Sequence, residues 1–258
     1  MLLHAYFSPY FPSTFPLLDA DYYAQDKETA KVILKKAKEE MNKLVSLLTK
    51  KMEEGELPNV PFDFTIKEGL PEEEVLAFSK TYNPSLIIMG TRGKSKKDID
   101  LIGSITGEVI ETSRIPVLAI PENIPFSDLN EAKEIAFATS YNQKDLVIFD
   151  QLIELLKHLK KVNIHIFNVS TTHNELNEIR LAGLNEYFNN QYPDINITHT
   201  VLDDGDLMLA VEKFVHEKNI DLIALSVYKR GIFARMFYPS KARKMLFHTN
   251  TPLLTLTT

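Results

Sequence analysis

The residues best placed by type and spacing to do chemistry are Gly90, Gly93, Gly103 and Ser104. They lie in the run Leu86-Ile-Ile-Met-Gly-Thr-Arg-Gly-Lys-Ser-Lys-Lys-Asp-Ile-Asp-Leu-Ile-Gly-Ser104, where two residues separate the first two glycines and nine precede the third. A glycine where a strand ends opens backbone conformations closed to other residues and lets amides approach a ligand closely. A glycine and a hydroxyl at the start of the next helix bring unpaired N–H groups and a positive dipole end to one point. The chemistry is phosphate binding. The run is not a Walker A loop, because no Gly-Lys-Ser/Thr closes it in frame, and it lacks the Gly-x-Gly-x-x-Gly dinucleotide spacing. A tight turn followed by a helix cap would use the same residues. Arg92, Lys94, Lys96 and Lys97 could neutralise phosphate charge, although Asp98 and Asp100 cancel part of that field and a solvated loop accounts for them equally well.

The motif sits inside a long internal repeat. A shift of 136 positions carries Gly69 onto Gly205, Val75 and Phe78 onto Val211 and Phe214, and Leu86-Ile-Ile88 onto Leu222-Ile-Ala224. The same shift carries Pro116–Ile120 onto Pro252–Leu256. The period is that of a domain, so the pattern reads as domain duplication rather than a solenoid. The expected units are residues 1–125 and 126–258.

Short apolar runs alternating with helical periods predict a parallel sheet covered on both faces. In the second unit the expected strands are Glu134–Ser140, Asn163–Val169, Ile195–Val201, Asp221–Val227 and Pro252–Thr257. Helices are expected over 145–160, 174–187, 207–218 and 242–248. In the first unit Met1–Phe7 matches the second strand of its partner, Leu3-His4-Ala5 lying on Ile164-His165-Ile166. A long helix over 27–52 follows, with an apolar stripe of Ala30, Leu34, Ala37, Met41, Leu44, Leu48 and Met52. Asp26 is the expected N-cap and Gly55 the expected stop. No counterpart of Glu134–Ser140 and its helix precedes His4, so the first unit lacks its opening β–α element, about thirty residues by comparison with the second. That absence would leave its second and fourth strands without a neighbour, and an upstream start of the natural polypeptide is the expectation that repairs it.

Composition narrows the classes. The chain has 258 residues, 44% hydrophobic and 25% charged, as in soluble globular proteins. No apolar run is long enough to span a membrane. Zero cysteines remove disulfides, thiol nucleophiles and thiolate metal sites. A net charge of −6 argues against general nucleic-acid binding. The cytoplasm is the expected compartment. His158, His173, His199, His216 and His248 show no metal-ligand spacing. His4 and His165 occupy matching places inside apolar strands, and no acid or nucleophile converges on them in the sequence, so satisfied core histidines are the expectation.

On the spacing Gly90-x2-Gly93-x9-Gly103-Ser104, with Lys67-Glu-Gly-Leu-Pro71, Met89 and Arg114-Ile-Pro-Val-Leu118, the sequence resembles the universal stress protein family in its tandem, two-domain form. The resemblance covers essentially the whole chain. It implies two doubly wound, Rossmann-like α/β domains of the adenine nucleotide alpha hydrolase-like type. It implies an adenine nucleotide, ATP first, held by Met89, Gly90, Thr91, Arg92, Gly93, Gly103, Ser104, Ile105 and Thr106. It also implies pairing of the two domains through their last strands, Val117–Ile120 and Leu253–Leu256, and allows a homodimer.

Two departures stand out. The family's acidic residue after the first strand has no counterpart in the first unit, and the second unit has Thr139-Ser140-Tyr141 there, without a carboxylate. In the second unit the shift also turns Gly90, Gly93 and Gly103 into Ser226, Lys229 and Pro239, with only Ser104 kept as Ser240. Side chains at Ser226 and Lys229 would crowd a backbone–phosphate contact, and Pro239 removes a donor. No ATP is expected there. Lys229, Arg230, Arg235, Lys241, Arg243 and Lys244 could bind an anion or an acidic partner, or form ordinary charged surface. The run Ser8–Leu18 with Tyr22 and Tyr23 reads as an aromatic, proline-rich loop that could lid a ligand or pack on its own domain.

The function expected from all this is a regulatory, nucleotide-responsive module. No general base or metal carboxylate can be assigned, so magnesium is not assigned and at most slow ATP hydrolysis is expected. The alternative is an interaction and dimerisation module without nucleotide; an enzyme such as a nucleotidyl transferase on the same scaffold is a third reading, lacking a catalytic constellation.

Overall fold

A computed structural model describes residues 1–8, 20–91, 103–122, 124, 131–139, 143–159, 161–170, 175–203, 207–226 and 250–257. The chain divides into two compact units, Met1–Tyr82 and Asn83–Thr258. The repeat boundary expected at residues 125 and 126 falls inside the second of these.

In the first unit β1 (Leu2–Tyr6) runs parallel to β2 (Phe64–Glu68) in a two-stranded sheet, with Leu3 opposite Thr65. Both α1 (Ala20–Glu53) and α2 (Pro71–Tyr82) pack on β1. Helix α1 begins earlier than expected: Asp26 lies inside it rather than capping it. The residues before it include Ala20, Ala24 and Gln25, which favour helix, and a lone aspartate inside a helix costs only a few tenths of a kcal/mol relative to neighbours of similar propensity, roughly 0.7 at most against alanine. The apolar stripe is also corrected at one step. Ala37 and Met41 are buried, but Leu44 is exposed and Val45 is half-buried in its place. A period of 3.6 allows either a three- or a four-residue step, and here the helix takes four. Gly55 stops α1 as expected. It takes a left-handed φ of 75°, with Gly55 N–H on the Met52 carbonyl and Glu56 N–H on the Lys51 carbonyl, the paired closure of a Schellman motif.

The second unit holds a seven-stranded sheet in the order β3-β4-β9-β8-β5-β6-β7. Its strands are β3 (Ile87–Gly90), β4 (Val117–Ile120), β5 (Glu134–Ala138), β6 (Asn163–Ser170), β7 (Asn196–Asp203), β8 (Leu222–Ser226) and β9 (Leu253–Leu256). Every neighbouring pair is parallel except β4 with β9, which is antiparallel, Leu118 facing Leu254. The last strands of the two sequence repeats are therefore hydrogen-bonded neighbours. The helices are α3 (Ser104–Thr112), α4 (Gln143–Leu156), α5 (Glu175–Gln191) and α6 (Leu207–Glu217). The helix expected over 242–248 lies outside the described residues.

Residues on alternate sides of β5 explain why it is central. Ile135 and Phe137 point into a cluster with Ile148, Phe149 and Leu152 of α4 and Phe188 of α5, while Ala136 and Ala138 are equally buried on the opposite face. Phe149 contacts Phe137 edge-on at 5.3 Å and Phe188 at 4.3 Å. On the other face Phe214 of α6 meets Phe167 of β6 at 5.1 Å. Leu118 of β4 joins the same core as Leu254 and Leu256 of β9. A parallel sheet with both faces covered is the α/β, Rossmann-like fold read from the apolar runs.

The repeat is also visible in backbone detail. Asn83 and Asn219, 136 positions apart, close α2 and α6 with left-handed φ of 50° and 49°. The next strands begin with matching bonds, Ile87 N–H to the Pro116 carbonyl at 2.9 Å and Ile223 N–H to the Pro252 carbonyl at 3.0 Å. One position differs: β8 has a strand on each side, β9 and β5, whereas β3 is an edge with β4 as its neighbour among the described residues.

Candidate functional site

Strand β3 ends in bare main chain. Gly90 is exposed, Met89 before it is half-buried, and Thr91 after it is buried with its N–H on the Ile120 carbonyl. The chain returns at Gly103, whose N–H donates to the Thr91 carbonyl at 2.5 Å, pinning both ends of the intervening loop. Gly103 caps α3 in an extended conformation (φ −61°, ψ 149°), and the first intrahelical bond runs from Gly107 N–H to its carbonyl. The amides of Ser104, Ile105 and Thr106 precede that bond, so they have no acceptor within the helix. Thr106 is buried and its hydroxyl donates to the Gly90 carbonyl at 2.8 Å, which ties the first turn of α3 to the end of β3. Ser104 and Ile105 are exposed beside it, and no acidic residue occupies that turn.

The structure thus brings together Met89, Gly90, Thr91, Gly103, Ser104, Ile105 and Thr106. Arg92, Gly93 and the lysines at 94, 96 and 97 lie outside the described residues. What remains is a donor set of main-chain amides and hydroxyls at a helix N-terminus, without a carboxylate among its described members. That set is suited to an anion rather than a cation.

A protein-family model for the universal stress protein family matches residues 7–121. Over this segment the chain is similar to the universal stress protein family. A universal stress protein of Methanocaldococcus jannaschii is 37% identical over 83 residues, 31% of this chain and 51% of that protein. A universal stress protein of Methanothermobacter thermautotrophicus is 30% identical over 84 residues, 33% of this chain and 57% of its own length. The chain spans about half the length of these curated relatives. Among solved structures, a universal stress protein from Archaeoglobus fulgidus superposes with a TM-score of 0.63, covering 95% of this chain and 82% of that one, at 19% identity, a likeness of fold.

The equivalent place in the second repeat is built differently. The place lies at the carboxyl ends of β5 and β8, whose next described strands, β6 and β9, flank that pair on opposite sides. Ser226 stands where Gly90 stands in the first repeat, and it is fully buried. Its hydroxyl donates to Asp145 Oδ1 at 3.2 Å, and the hydroxyl of Thr139 donates to Asp145 Oδ2 at 2.9 Å. Asn168 at the end of β6 donates from Nδ2 to the Thr139 carbonyl at 2.6 Å. Asp145 is 2% exposed, in the first turn of α4. The turn Thr139-Ser140-Tyr141 carries no carboxylate in the sequence, and one reaches this place instead from the first turn of α4. The basic residues expected around this place, 229 to 244, lie outside the described residues, as do Pro239 and Ser240.

At the opposite, amino ends of the strands His165 is satisfied on both nitrogens. Nδ1 meets the Thr198 hydroxyl at 2.8 Å and Nε2 meets Glu134 Oε2 at 2.6 Å, while Asn163 donates to Glu134 Oε1 at 2.7 Å. An acid and a hydroxyl do converge on this histidine, against the reading of the sequence. The trio is nonetheless a cross-strand brace: His165 is buried under Phe214, and both its neighbours lie on adjoining strands of the sheet. Burial raises the Glu134 carboxyl, but the bonds from His165 and Asn163 outweigh it and hold the group below its ordinary value. His199 differs. Its Nδ1 is buried without a partner, the ring stacks on Phe188, and burial pulls its pKa down to about 4. Among the described residues no group of His, Asp or Glu is arranged to hold a metal ion.

Proposed function

We propose that this chain is a regulatory module whose first repeat, residues 1–125, holds an adenine nucleotide, ATP first, while its second, residues 126–258, serves as the scaffold. One observation carries the reading: the exposed main chain of Gly90 is tied to an α-helix N-terminus whose leading amides have no helical acceptor. In this reading Gly90 and Gly93 admit the phosphates, with Thr91 and Arg92 beside them. The amides following Gly103 and the Ser104 hydroxyl donate to phosphate oxygens, and Met89, Ile105 and Thr106 shape the pocket. Bound nucleotide would supply the charge and bulk to which the module responds. No residue is assigned to hydrolysis.

The family relationship supports the nucleotide class. Among the described residues no helix is long and apolar enough to cross a membrane, which suits the cytoplasmic setting this reading assumes. Pairing of β4 with β9 supports an internal pairing of the two repeats. Mass spectrometry of small molecules released from the purified chain tests the reading. An adenine nucleotide released from the wild type and lost from Gly90→Val is the expected result. Release of none, together with no ATP binding at millimolar concentration, would leave the interaction module as the better reading. The buried Ser226–Asp145 contact favours that second reading for the second repeat alone.

A further inference from the structure

The crevice at the carboxyl ends of β5 and β8 is where an open α/β sheet takes its ligand. Among the described residues of this repeat, the hydroxyl donors at these strand ends, Thr139 and Ser226, are already committed. Thr139 at the end of β5 and Ser226 at the end of β8 each donate to a different oxygen of Asp145. Asn168 braces the assembly from β6 through the Thr139 carbonyl, and Thr139 N–H donates to the Phe167 carbonyl. Asp145, Thr139, Asn168 and Ser226 are all buried. A buried carboxylate is tolerated when donors are aimed at it, and a carboxylate near a helix N-terminus is also favoured by the helix dipole.

We infer that the second repeat retains an anion site at its switch point and that the resident anion is the chain's own carboxylate, Asp145. Ser226 is what distinguishes it from the first repeat. Where Gly90 leaves main chain open, Ser226 supplies a hydroxyl that joins the far strand to Asp145. A free phosphate or carboxylate approaching this crevice meets a fixed negative charge and hydroxyls already engaged. Among the described residues, the hydroxyls at the ends of β5 and β8 are thereby turned to an internal carboxylate rather than to a ligand, whatever the first repeat holds.

Chemical rescue of the full chain tests this. Asp145→Ala should lower the melting temperature, and sodium formate, which carries the missing carboxylate, should restore most of the loss. Sodium chloride at equal ionic strength should not, and formate should leave the wild type unchanged. If Asp145→Ala is unfolded in plain buffer, formate should return its circular dichroism signal, with chloride again inactive. Asp145→Asn keeps the shape and removes the charge; it should melt below the wild type and gain nothing from formate, because the space is filled. Formate no better than chloride on Asp145→Ala, or an Asp145→Asn variant as stable as the wild type, would overturn the inference.

Discussion

The ends of β3 and β8 are equivalent by the internal repeat, yet they are built differently. At β3 the terminal residue is glycine, its carbonyl is held by Thr106, and its exposed main chain lies beside the N-terminus of α3. At β8 the terminal residue is Ser226, and its hydroxyl is spent on a carboxylate from α4. The hydroxyl of Ser226, together with the carboxylate of Asp145 from α4, thus stands at β8 where main chain alone stands at β3. The difference teaches that a side chain in place of glycine at such a strand end need not leave a buried polar group unsatisfied, because a partner can come from within the fold.

The comparison can be broken most severely at Gly90. Gly90→Val should abolish nucleotide binding in a calorimetric titration while leaving the second repeat, residues 126–258, folded; unchanged affinity would remove the cradle assignment. Phe149→Ala sharpens the contrast from the other side. It empties the junction of Phe137 and Phe188, and should destabilise the chain by about 3–5 kcal/mol in denaturant unfolding. A loss under about 1 kcal/mol would show that the second unit is not the rigid partner.

Ser226→Ala should cost about 1–3 kcal/mol, since a buried carboxylate oxygen loses a donor, and should leave nucleotide binding unaffected. Equal stability would mean the contact does not brace β8. The smallest effect is on pH dependence. His199 is held neutral when folded, with a pKa of about 4, whereas the unfolded chain protonates near 6.5. The unfolded state therefore binds the extra proton first, and stability should fall as pH drops from about 6.5 towards 4. The depressed Glu134 carboxyl adds its own loss at lower pH, below its ordinary value of 4.5. Urea midpoints across this range should fall less in His199→Asn; an identical slope would remove His199 as the cause.

Features that depend on neighbours in the chain were legible from the sequence. The repeat of 136, read from the sequence, has its structural match in the paired left-handed asparagines and strand starts, and Gly55 predicts the end of α1. The last strands could be named because the shift carries Pro116–Ile120 onto Pro252–Leu256. Long-range polar contacts were not legible. Asp145 lies 81 residues from Ser226, and Glu134 lies 31 from His165, so nothing local announces either pair. A carboxylate was sought where the strand ends, but the helix that follows can deliver one to the same point. Asp26 misled for the opposite reason: a good capping residue also occurs inside a helix whose earlier residues favour continuation.

The most direct test of the asymmetry between the two strand ends is the stoichiometry of ATP binding to the full chain by isothermal titration calorimetry. One equivalent per chain, absent from Gly90→Val and retained by Ser226→Ala, is predicted. Two equivalents, or none, would contradict it.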